Sequence, residues 1–150
     1  SSTFDQIDQQ ILDLLIENSR ISLIDISEQV GLSRVAVKNR IDALEKSGVI
    51  EQYTVILNPE KVGRNVSVFF DIQVTPSALH QVADALIAEE AVTDVYLMTG
   101  ASKLHVHAVA AGQGELEDFL DRVIHRLPGV ASLSCNIILS RIKDIKGLRL

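Results

Sequence analysis

Ser22-Leu23-Ile24-Asp25-Ile26-Ser27-Glu28-Gln29-Val30-Gly31-Leu32-Ser33-Arg34-Val35-Ala36-Val37-Lys38-Asn39-Arg40-Ile41 decides how the first third of the chain folds. Ser22 followed by Asp25 has the form of a capping box, which opens a helix by satisfying orphan backbone N–H groups. Ile26 and Val30 turn inward along that helix. Gly31 ends it, because a residue without a Cβ reverses the chain at little steric cost. Ser33 then caps another helix, whose Val37, Ile41 and Leu44 form a buried stripe before Gly48 stops it. Two short helices, a glycine turn, and apolar Ile26, Val30, Leu32 and Val37 have the spacing of a helix-turn-helix.

Towards the N-terminus, Ile7, Ile11, Leu14 and Leu15 recur on one face of a further helix that Asp5 or Thr3 caps. Towards the C-terminus, Val49 to Leu57 is β-like, too short to stand alone, and reads as a wing or bridging strand. A proline and a glycine lie close together between Asn58 and Asn65, the best domain boundary in the chain. From Val66 the period changes. Val66, Val68, Phe70, Ile72 and Val74 alternate as a strand; Pro76 breaks it; Leu79, Val82, Ala83, Leu86 and Ile87 make a helix; Val95 and Leu97 begin a second strand that ends at Gly100. Leu104, Val106 and Ala108 then alternate, Leu116, Phe119, Leu120, Val123, Ile124 and Leu127 make a helix, and Val130 to Leu139 is the last strand. Two strand–helix–strand units in succession predict a four-stranded sheet with both helices on one face. The fold class is α+β: a winged helix-turn-helix over 1–50, a bridging strand and linker over 51–65, and a ferredoxin-like βαββαβ domain over 66–150.

That plan leaves one sheet face open, with Phe69, Tyr96, Met98, Val109 and Ile138 mixed among Asp71, Gln73, His105 and His107. So apolar a face on a small domain needs a cover, and a second copy is the simplest one. A homodimer at least is expected.

Composition narrows the field. With 150 residues there is room for one ordinary domain or two small ones. Apolar residues make up 47% and charged residues 23%, enough for a core and unlike a disordered chain. No apolar run reaches the roughly 18–20 residues of a membrane span. Ser1-Ser2-Thr3-Phe4-Asp5 lacks the basic and apolar regions of a signal peptide. The single cysteine, Cys135, forms no internal disulfide or zinc cluster, so a cytoplasmic setting is expected. A net charge of −6 excludes a uniformly basic coat, and phosphate binding must come from a local patch.

One such patch is present. The exposed side of the third helix carries Arg34, Lys38, Asn39 and Arg40, with no acid between Ser33 and Ile41. Arginine pairs with guanine O6 and N7, asparagine with adenine, and lysine with phosphate. The plainer reading is a three-helix core with ordinary solvated charges. His105 and His107 alternate on one strand face in a way that would let them share a metal. Zinc takes three or four ligands, however, and no Cys or acid has the spacing to complete the set, so neither metal nor cofactor is expected. Cys135 occupies an inward strand position and reads as a small buried residue. Ser132, Ser134 and Ser140 lie on the other face. No nucleophile elbow, Walker-type loop or dinucleotide fingerprint is present, and no catalytic residue is assigned.

Phe4-Asp5-Gln6-Ile7-Asp8-Gln9-Gln10-Ile11-Leu12, Arg20-Ile21-Ser22, Val30-Gly31-Leu32-Ser33, Val37 through Ile50, Tyr53-Thr54-Val55, Leu57-Asn58-Pro59 and Thr99-Gly100 fall in the order and spacing of one family. The chain resembles the Lrp/AsnC, or feast/famine, transcriptional regulators over essentially its whole length. The resemblance implies a winged helix-turn-helix, a linker, and a ferredoxin-like ligand-sensing and oligomerisation domain. It further implies dimers that assemble to an octamer and an amino acid, or a related small molecule, sensed between dimers. It places double-stranded DNA against Arg20, Ser22, Ser33, Arg34, Val35, Lys38, Asn39 and Arg40. It places the effector against Thr99, Gly100, Ala101, Ser102 and Lys103; from their strand face, Ser132, Ser134 and Ser140 are expected to reach a neighbouring subunit's effector site.

One departure stands out. Family members often carry an acid where this chain has Lys103, and a cation there repels an ammonium group and favours a carboxylate. Loss of amino-acid sensing, or a different ligand, stays open. Two alternatives follow: an effector-independent DNA-organising protein, or an enzyme resembling the sirohaem decarboxylases, which share this two-part architecture. His105 and His107 keep the enzyme in view, but the basic and aromatic cluster expected around a carboxylated macrocycle is missing.

Overall fold

The computed structural model describes residues 4–150. They form two compact units: the described residues up to Ile56 together with Ile145–Leu150, and Leu57–Asp144.

The first unit holds α1 (Gln6–Glu17), α2 (Leu23–Val30) and α3 (Arg34–Lys46). Asp5 caps α1 in a reciprocal box: the Asp8 N–H donates to Asp5 Oδ1 at 2.9 Å, and the Asp5 N–H donates to Asp8 Oδ2 at 3.2 Å. Thr3, the other candidate cap, lies outside the described residues. Ser22 and Ser33 accept from the N–H groups of Asp25 and Ala36, so each helix of the helix-turn-helix begins on a serine oxygen. Gly31 between them has φ +74, the left-handed geometry that a reversal this tight demands. Ile11, Ile26, Val37 and Ile41 meet in the core, with Ile7, Leu14, Leu15, Val30 and Leu32 packed around them. Burying side chains of this size contributes about 1.5–3 kcal/mol each.

The expected wing or bridging strand over Val49–Leu57 is absent: residues 51–58 belong to no helix or strand. A single extended segment leaves its backbone groups unpaired, and the described residues offer it no neighbouring strand. Its Tyr53, Val55, Ile56 and Leu57 are exposed. The division between units falls at Ile56, before the Pro59–Gly63 turn.

In the second unit, β1 (Val66–Val74), α4 (Leu79–Ile87), β2 (Val92–Met98), β3 (Lys103–Ala110), α5 (Gln113–Arg122) and β4 (Val130–Ile137) follow one another in βαββαβ order. The antiparallel sheet runs β2-β3-β1-β4, the ferredoxin-like plan read from the sequence. Val68, Phe70, Ile72, Val74, Leu104, Val106 and Ala108 bury one sheet face against Val82, Leu86, Leu116 and Phe119 of the helices. The helix read to Leu127 stops at Arg122, and Ile124–Arg126 forms a separate 3-10 turn.

Cys135 departs from expectation. It pairs with buried Phe70 and so points inward, yet it is exposed. β4 is an edge strand, exposed along nearly all its length, and α4 and α5 pack instead over β2 and β3.

Candidate functional site

On α3, Val37, Ile41 and Leu44 face the core, and this turns Arg34, Val35, Lys38 and Asn39 outward. Val35 is 66% exposed, an apolar group presented to solvent at the first turn of a capped helix, where a thymine methyl is a fitting partner. Lys38 Nζ donates to Asp42 Oδ2 at 2.8 Å, one turn further on, and that carboxylate raises its pKa and keeps it charged. Arg40 points elsewhere. Its Nη1 donates to both Asp5 oxygens at 2.8 Å and to Asp8 Oδ1 at 3.2 Å, so it braces α3 against the start of α1. Arg20 is exposed just ahead of α2, its N–H donating to Asn18 Oδ1 at 3.0 Å. The oxygens of Ser22 and Ser33 serve as caps, which leaves each hydroxyl hydrogen free to donate.

On the open face of the sheet, three ladder rows run across the strands. Asp94, His107, Phe69 and Asn136 form one; Tyr96, His105, Asp71 and Ser134 the next; Met98, Lys103, Gln73 and Ser132 the third. Phe69, Tyr96, Met98, Asp71, Gln73, His105 and His107 therefore share the face assigned to them from strand period.

The third row, with Asp71 and Ser134 of the second, borders a cavity of about 470 Å³. Thr99, Lys103 and Ser134 of the expected effector residues line it, and Asp71, Gln73, Met98 and Ser132 join them. Gly100, Ala101 and Ser102 form the turn behind it and do not line it. Gly100 has φ +107, and the Lys103 stem passes 3.5 Å from where a Cβ would sit. Ser102 adopts φ +52, rare for a residue with a side chain, and its carbonyl accepts the Val74 N–H at 3.0 Å. The turn is thereby tied to the end of β1, and Lys103 becomes the first residue of β3 rather than part of a free loop. The cavity is thus lined by Lys103 of β3 and Asp71 of β1, with the Ser132 and Ser134 hydroxyls of β4 on the far side of Asp71. Ladder register is the signal that joins Asp71 and Ser132 to this site, and it is not visible in a single strand's periodicity.

A helix-turn-helix with an exposed first turn, and a sheet domain with a polar cavity of opposite charges, define a DNA-binding regulator with a ligand-binding module. Residues 4–51 match the winged helix-turn-helix DNA-binding family, and residues 67–148 match the Lrp/AsnC ligand binding domain. The chain belongs to the Lrp/AsnC family of transcriptional regulators. It is 33% identical over 139 residues to the regulator LrpA of Pyrococcus abyssi, covering 93% of this chain and 99% of that one. It is 31% identical over 151 residues to the leucine-responsive regulatory protein of Haemophilus influenzae, covering 99% and 91%. A transcriptional regulator from Neisseria meningitidis, solved as a complex with L-Met, superposes with a TM-score of 0.90 at 26% identity, over 98% of this chain and 97% of that one. Among the described residues, no helix is long and apolar enough to cross a membrane.

Proposed function

We propose that this regulator acts in the cytoplasm as a homodimer, assembling further to an octamer, that reads double-stranded DNA with α3. The carrying observation is the α3 surface. Ser33 caps the helix, and Arg34, Val35, Lys38 and Asn39 all face away from the core, a set that suits base edges and phosphate together. Arg20 and the Ser22 hydroxyl add phosphate contacts beside it, while Arg40 supports the helix from behind. Phe69, Tyr96 and Met98 on the open sheet face favour a second copy as its cover. Genomic footprinting tests the reading: protected, imperfectly palindromic sites are expected, and protection without sequence preference would leave only the DNA-organising alternative.

The effector proposed is an amino acid. Its carboxylate pairs with Lys103, its ammonium with Asp71, and Thr99, Ser132 and Ser134 supply hydroxyls. The opposite charges flanking one cavity support this, as does the relative solved with L-Met. The departure at Lys103 then reverses the site's polarity rather than abolishing it. No catalytic role is proposed. His105 and His107 face each other instead of a macrocycle-sized cavity, and the curated relatives are named as regulators.

A further inference from the structure

The histidine pair on the open sheet face meets the effector reading only through Asp71, the carboxylate that His105 shares with it, and its geometry is unusual. His105 Nδ1 lies 2.7 Å from Asp71 Oδ1, and His107 Nδ1 lies 3.5 Å from Asp94 Oδ2. The two Nε2 atoms lie 2.9 Å apart. A carboxylate only accepts, so His105, whose Nδ1 lies at hydrogen-bond distance from Asp71, carries its hydrogen there, and Asp94, farther from His107 Nδ1, biases that ring the same way. With both rings in that tautomer, two Nε2 lone pairs confront each other. A cation between them turns this repulsion into attraction.

We propose that His105 and His107 form a two-nitrogen chelate for a divalent first-row transition ion, copper before nickel or zinc, with Asp71 and Asp94 orienting the rings through Nδ1. Carboxylates in this outer position fix the tautomer and raise ligand basicity. Two nitrogens 2.9 Å apart, each about 2.0–2.1 Å from an ion, subtend about 90°. That is the cis angle of tetragonal and octahedral ions, narrower than tetrahedral zinc prefers. The Phe69 ring centroid lies 4.0 Å from that of His107 with the planes tilted by 37°, and Tyr96 flanks both imidazoles, limiting the rotamers that would part the nitrogens. No group of three or more His, Cys, Asp or Glu among the described residues is arranged to hold an ion. The remaining positions therefore fall to water or to a donor from outside the chain, and binding is weaker than in an all-protein cage. The acids contribute here by holding the imidazoles, a role that ligand spacing along the sequence does not express.

Calorimetry of the untagged full chain with copper, nickel and zinc salts at pH 7.5 tests this. At most one saturable ion per chain is expected, copper tightest, with affinity falling as protons compete in acid. H105Q and H107Q should each abolish it, whereas H80Q/H125Q, which changes the remaining two histidines, should not. D71N, at an exposed carboxylate, should weaken binding about 10–100-fold and remains informative if H107Q misfolds. Saturable copper binding that survives in H105Q overturns the proposal. So does its absence from the wild type, which would leave a shared proton as the bridging cation.

Discussion

Arg40 holds Asp5: one guanidinium nitrogen donates at 2.8 Å to both oxygens of a carboxylate that also caps α1, across 35 positions of sequence. The same nitrogen reaches Asp8, the buried member of the capping box. The start of the first helix and the middle of the third are thus fastened by one side chain. The Arg40 guanidinium and the Asp8 N–H hold the Asp5 carboxyl below the usual carboxylate range. Its stabilising contribution is complete above the unfolded value of about 4 and is lost as pH falls through the lowered folded value. Arg40→Met should lower stability at pH 7 and flatten the acid limb of a melting-temperature profile. Asp5→Asn keeps a good cap while losing the charge, so it should flatten the same limb. Unchanged acid limbs in both variants would dismiss the brace.

Base reading is proposed for Arg34 and Val35, and phosphate contact for Lys38. Arg34→Ala should cost about 1–3 kcal/mol of discrimination at one base pair. Lys38→Ala should weaken all sequences alike and reduce the salt slope by about 1. Half-sites in a footprint should lie about 10 bp apart, as paired helices in successive major grooves require. Gel shifts against a mapped operator decide it; undiminished affinity in the double variant would move the interface off α3.

Lys103→Asp should shift ligand preference towards amines lacking a carboxylate, and Asp71→Asn should reduce the penalty for replacing the α-ammonium. Calorimetry across the standard amino acids, with the wild type and both variants, is the measurement. Identical profiles for wild type and Lys103→Asp would mean that the ammonium faces solvent.

Light scattering at micromolar concentration should find dimers or larger even-numbered assemblies. Phe69→Glu, placing a charge in the middle of the open sheet face, should shift the mass towards the monomer while leaving the core-facing side of β1 untouched. A monomeric wild type would refute the covered face.

Gly129 makes a separate test of the sheet domain. It has φ +67, and a Cβ there would lie 2.5 Å from Thr75 Oγ1 and 2.7 Å from Ala78 Cβ. Gly31, at φ +74, has open space around it. Gly31→Ala should cost about 1–2 kcal/mol in denaturant unfolding from backbone conformation alone. Gly129→Ala should cost clearly more, and equal losses would show that the Thr75–Gly129 corner yields without strain.

Helix starts and strand alternation were legible along the chain because they are local. Ser22, Ser33 and Asp5 cap the residues immediately after them, and the inward faces of α3 and β1 follow from periods of 3.6 and 2. The helix-turn-helix, the βαββαβ order and the mixed polar and apolar face of the sheet all rest on such signals. The stretch 51–57 misled because its β-like composition states a preference, whereas a strand exists only beside another strand. Cys135 misled because alternation tells which way a residue points, not whether a helix lies over it.

What only tertiary structure decided are the pairings between distant residues. Arg40 is one more cation on a basic helix until α1 brings Asp5 and Asp8 to it. Asp71 reaches both Ser134 and His105 because β1 lies between β4 and β3 in one particular register, and a slip of one residue would point it into the core. Capping and periodicity act over a few bonds and can be read in order. Ion pairs, cavities and facing imidazoles depend on how whole elements stack, which is set by the balance of burial across the entire core.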